Sequence, residues 1–199
     1  MTEPRQMTAP LDVLSAAARQ VLKLDVATAY TQLTVSGAGN EQARSLLEPL
    51  TPQQVLAKPP ASVDDAAALL SGLWLWHDWL DQSHRLSQNI TSASGSFWHA
   101  IMHRREGDFS NSKYWYARCA NHPILPSLVV QANDLINPFP ADKSILKLNA
   151  GGWDADAFVD LVEAVHDQPD DPRHKLAVGL QQLEWRLLFD HCTRAAAGT

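Results

Sequence analysis

Apolar residues return every three or four positions along most of this 199-residue chain, and that spacing commits it to helices. Leu69, Leu73, Trp76 and Leu80 make one stripe, and Leu176, Leu180, Leu183 and Leu187 make another. At 100° per residue each set falls on one helix face, whereas strand alternation would scatter it over both sides of a sheet. There is no internal repeat and no linker-like tract. Apolar residues are 45% of the chain, enough at this length for a real core. The pattern predicts an all-α fold: a single irregular multi-helix bundle domain of about seven to nine helices over residues 10–195, behind a flexible tail at 1–9.

Local signals place the ends. A first helix is expected over Leu11–Leu22 and a second over Asp25–Leu33. Asn40 suits the N-cap of Glu41–Leu50, and Thr51-Pro52 suits the cap and first position of a short helix. Ser62 with Asp65 resembles a capping box and opens a long helix over Val63–Leu86. Ser92–Gly95 reads as a hinge, followed by helices over Phe97–Arg105, Ser110–Ala120 and Leu125–Leu135. Residues 137–152 form an irregular connection, with Ser144–Leu148 a short strand or turn. Helices over Asp154–Asp167 and Lys175–Cys192 follow, and the terminal AAAGT frays.

Charge and special residues narrow the function. The formal net charge is −6 and the pI about 5.7, which opposes nucleic acid as a partner because phosphate binding needs a basic footprint. No apolar run approaches the ~18 residues of a membrane span. Two cysteines, Cys119 and Cys192, make neither a disulfide scaffold nor a zinc knuckle. Together with an N-terminus that lacks a signal-peptide core, these features imply a cytoplasmic protein with two inert thiols. They set no oligomeric state.

The segment FWHAIMHRREGDFSNSKYWYARCANHP, Phe97–Pro123, carries the richest chemistry, with three His, two Trp, two Tyr and three Arg around an acidic turn. His99, His103 and Glu106 recur at spacings of four and three, so they share one helix face. Two histidines at i and i+4 can hold one cation, and His77 and Glu184, each at the edge of a core stripe, are candidates to complete its ligands, with His84 and His191 at the same edges. His99 and His103 can equally move protons, with Glu106 as ligand or base. Arg105 and Arg118 can hold negative charge, Asn111 and Tyr114 can orient a ligand, and Trp98 supplies a flat wall. Two functional readings follow: a site for a divalent metal, or a cleft for a small polar or anionic molecule. Against both stands a non-catalytic reading, in which the polar cluster only stabilises helix packing. Whether the chain is an enzyme is open at this level. No nucleophile elbow, P-loop or dinucleotide fingerprint occurs.

The same segment resembles a pattern shared by an uncharacterised family of soluble bacterial and fungal helical proteins. The later stretches GGWDADAFVDLVE and QLEWRLLFDHC are similar too, so the resemblance covers roughly residues 70–192. It implies one intact domain and transfers no activity.

Overall fold

Short polar side chains start most of the helices. In the computed structural model, which describes residues 10–119, 121–139 and 142–199, Ser15, Asn40, Ser62, Ser92, Asp108, Asp142, Asp154 and Asp171 each accept a backbone N–H two or three residues ahead. The helices so begun, with two that have no side-chain cap, one of them carrying Pro126 in its first turn, are α1 (Ala16–Val21), α2 (Glu41–Leu47), α3 (Val63–Trp76), α4 (Leu80–Ser87), α5 (Ala93–Glu106), α6 (Phe109–Tyr116), α7 (Leu125–Ile136), α8 (Lys143–Leu146), α9 (Ala155–Val165) and α10 (Pro172–Ala197). The chain is an all-α multi-helix bundle. Among the described residues there is no strand, and the only bridge is an isolated pair, Leu14 with Leu56. The expected tail at 1–9 lies outside the described residues.

α10 is the spine. It packs on α3, α7 and α9, while α5 packs on α3, α4 and α6. Trp185 on α10 donates its indole N–H to the Gly72 carbonyl at 2.9 Å, and a Cβ on Gly72 would meet the Trp98 ring at 2.6 Å. Glycine is therefore required where these three elements meet. Trp98 is fully buried there, edge-on to Trp185. One hydrophobic core runs from Leu14 to Ala196.

Several expected boundaries move, for identifiable reasons. The first helix splits into a 3-10 turn, Leu11–Val13, and α1, because Ser15 caps afresh between them. Residues 25–33 are not helical: Asp25 and Tyr30 sit at φ of 45° and 57°, and the buried Tyr30 ring stacks on Trp76. α5 begins at Ala93, so the expected hinge is the capped first turn of that helix. Ser144–Leu148 is helical rather than extended. α10 starts earlier and ends later than expected, between Asp171 and a left-handed Gly198.

The correction that matters most is the break in the long helix expected over Val63–Leu86. The apolar period runs through it, but the helix stops at Trp76 and restarts at Leu80. Asp78 takes φ 67°, costly for a residue with a Cβ. Tertiary bonds hold it there. Arg105 donates to Asp78 at 2.6 Å and to the Leu75 carbonyl at 2.8 Å. Asn40 N–H donates to the His77 carbonyl at 3.1 Å, and the Trp79 indole returns a bond to the Asn40 carbonyl at 2.9 Å. The break separates His77 from His84, so these two histidines no longer share one helix edge.

Candidate functional site

α5 and α6 form a helical pair joined at Gly107, whose φ of 88° ends α5. The Asp108 carboxylate then caps α6 through Asn111 N–H, which holds its pKa below the usual carboxylate value. This turn folds α6 back along α5, so that Asn111 and Trp115 meet the face carrying His99 and His103. α4 closes the other side with His84.

The three imidazoles converge. Ring centres are 4.8 Å apart for His84–His99, 4.7 Å for His99–His103 and 5.5 Å for His84–His103. One potential ligand atom from each lies within 4.8 Å of the others. His99 and His103 are buried, and His84 is half-buried, which opens the cluster towards solvent on the α4 side. Trp115 covers His99, its ring centre 4.0 Å away and nearly parallel.

Hydrogen bonds fix the tautomer of His103. Its Nδ1–H donates to Glu106 Oε1 at 2.6 Å. In the neutral ring Nε2 then carries the lone pair; the Asn111 amide nitrogen lies 3.1 Å from Nε2 and 3.4 Å from Nδ1, against the ring rather than in line with that lone pair. A carboxylate behind an imidazole in this way orients a metal-ligating histidine and raises its basicity. His99 is different: neither Nδ1 nor Nε2 has a hydrogen-bond partner, and both atoms are buried. Burial, with the neighbouring His103 and His84 rings, lowers its pKa to about 4, so the ring is neutral with an unused lone pair at pH 7.

The geometry suits a small cation. A Zn2+–N bond of ~2.1 Å places tetrahedral nitrogens about 3.4 Å apart, so imidazole rotations of roughly 1 Å would close this set. Glu106 and Asp108 form a second group with His103, but both carboxylates are exposed and already engaged, one with His103 and the other as a helix cap.

Most of the other expected site residues lie elsewhere. His77 is bound at Nε2 to the Val21 carbonyl, 2.9 Å away, and burial lowers its pKa. Glu184 is wholly buried, accepting from Arg104 at 2.6 Å and from the Tyr116 hydroxyl at 2.8 Å. Neither belongs to a cation-sized group among the described residues. Arg105 is wholly buried against Tyr30 and holds the break at Asp78, so it faces no ligand. Trp98 is a core residue. Asn111 is at the site. Tyr114 and Arg118 lie on the exposed side of α6 and just beyond it, with the Arg118 guanidinium 4.4 Å over the Tyr114 ring and 5.1 Å over Trp115. His84, the alternative candidate at the same edge, stands where His77 was expected, and choosing between them needed the break, which the local pattern does not show. Trp115, not singled out among the expected site residues, covers His99.

His122 and the two cysteines lie outside this cluster. His122 Nε2 lies 3.1 Å from the Ser94 hydroxyl, but Nδ1 accepts Ile124 N–H at 3.3 Å. The proton is therefore on Nε2 and points at Ser94, the wrong arrangement for a general base. Cys119 and Cys192 are buried, and burial pushes each thiol up to about 12. A cavity of about 730 Å³ between Phe97, Tyr116, Leu125 and Trp153 contains no histidine in its lining. No described helix is long and apolar enough to cross a membrane.

No family model, no curated protein and no solved structure matches this chain.

Proposed function

We propose that the protein binds one divalent transition-metal cation through His84, His99 and His103. Glu106 orients His103 from behind, and Asn111 stands beside the coordination sphere. The observation that carries this reading is His99: a neutral imidazole with both nitrogens buried and unpartnered, flanked by two more histidines. An unmet buried nitrogen costs about 1–3 kcal/mol, and a cation supplies the missing partner. Neutral nitrogen donors suit zinc and its first-row neighbours rather than magnesium or calcium, which prefer oxygen. Three protein ligands leave a fourth position for water or a substrate oxygen, the arrangement of catalytic rather than structural sites.

Calorimetric titration of the full chain with Zn2+ tests the proposal. One ion per chain is expected. His99→Phe should abolish the binding, and His174→Gln, at the start of α10, should leave it intact. Absence of binding by the unaltered chain, or equal binding by His99→Phe, overturns the proposal.

A further inference from the structure

We infer that the cation site serves an anionic small molecule, whose carboxylate or phosphate oxygens are gripped by Arg118 while another polar group reaches the cation. This inference rests on the cation reading above. One polypeptide stretch is ordered outward from the cluster. Asn111 touches His103, Trp115 covers His99, and Arg118 lies over Trp115. The line from Asn111 to Arg118 thus leads from the edge of the coordination sphere to an exposed guanidinium. Seven residues of helix span roughly 10 Å, the length of a small organic anion.

Arg118 is prepared for such a ligand. Its guanidinium is held over two rings, and stacking occupies the flat face while leaving the N–H edges free to fork an anion. Among the described residues it has no carboxylate partner, although the chain carries 22 acidic groups against 16 basic ones. The nearby charges are already committed. Glu106 accepts from His103, Asp108 caps α6, and Lys113 pairs with Asp160. Beside Arg118, Tyr114 is 55% exposed, one of the few large apolar side chains left in solvent. An exposed aromatic ring under an uncommitted guanidinium is a recognition surface that packing alone does not require.

The test uses the full chain loaded with Co2+, whose visible spectrum reports its ligands. Hippurate and phenyl phosphate are the anionic probes and hippuramide is the neutral control. A saturable spectral change is expected with an anion and not with hippuramide at tenfold higher concentration. A response to hippurate alone marks a carboxylate substrate, and a response to phenyl phosphate alone marks a phosphate ester. Arg118→Gln should take up Co2+ with unchanged affinity yet bind the anion at least tenfold more weakly. Failure to take up Co2+ defeats the cation reading and this inference together. Uptake with no anion response, or with the same response in Arg118→Gln, defeats this inference alone.

Discussion

Two faces of α5 carry polar side chains into the interior, and they differ in how those side chains are met. On one face Arg104 donates to Tyr116 and Glu184 and lies 4.4 Å over the Phe158 ring, while Arg105 donates to Leu75, Gln32 and Asp78. Only the Nε of each guanidinium lacks an acceptor. On the other face His99 has no hydrogen-bond partner at either nitrogen. Charge is costlier to bury than a neutral imidazole, so the fold satisfies the arginines from its own chain. The histidine face is left with donor capacity that the protein does not consume. A satisfied buried network is architecture, and the unsatisfied one is where the proposed cation would supply the missing partner.

The sharpest way to break this comparison is to damage the satisfied face. Burial opposes the charge on Arg104, but Glu184 outweighs it and holds the guanidinium charged. Glu184→Gln leaves that charge buried without its counterpart, and urea denaturation should register a loss of about 3–5 kcal/mol. Zinc affinity at the folded protein should be unchanged. A loss below about 1 kcal/mol would mean that the arginine face is not the structural half.

The corresponding change on the histidine face should cost much less. His99→Phe keeps a flat ring against Trp115 and removes two unmet nitrogens. The metal-free variant should unfold within about 1 kcal/mol of the unaltered chain. A penalty of several kcal/mol would show that His99 has a structural partner after all.

A smaller effect comes from pH. Burial lowers the pKa of both His99 and His122 to about 4, from an ordinary 6.5. Between those values the unfolded chain binds more protons than the folded one. Stability from these groups is therefore full above about pH 6.5 and is lost as pH falls towards 4. Each group contributes a slope of at most ~1.4 kcal/mol per pH unit in that window. Urea midpoints at pH 7, 5.5 and 4.5 should fall less steeply for metal-free His99→Phe than for the unaltered chain. Parallel slopes would contradict a neutral, buried His99.

The sequence made some of this legible and hid the rest. Asn40, Ser62 and Asp154 begin helices as their types suggest, because capping is a local hydrogen bond that needs no distant partner. The pairing of His99, His103 and Glu106 was also local, at i+4 and i+3 on one helix. The third histidine was not. The stop at His77–Trp79 is held by Arg105 and Asn40, 27 and 37 positions from Asp78 and His77 in the chain. Helical periodicity continues through it undisturbed, so His77 looked as available as His84. Glu184 misled for a related reason. Its place at a core edge made it a candidate ligand, but its carboxylate is held by Arg104 and Tyr116. Tyr30 shows the same limit: its segment carries helix-like spacing, and stacking on Trp76 overrides it.

The central claim is that His84, His99 and His103 share one cation. The most direct measurement is the long-range proton–nitrogen NMR spectrum of the histidine rings, recorded with and without one equivalent of Zn2+. The account predicts that one ring nitrogen in each of His84, His99 and His103 moves to the metal-bound region, with His103 ligating through Nε2, while the resonances of His77, His122 and His174 stay in place. Unmoved resonances at all three sites, or metal-induced shifts at His77 in place of His84, would contradict it.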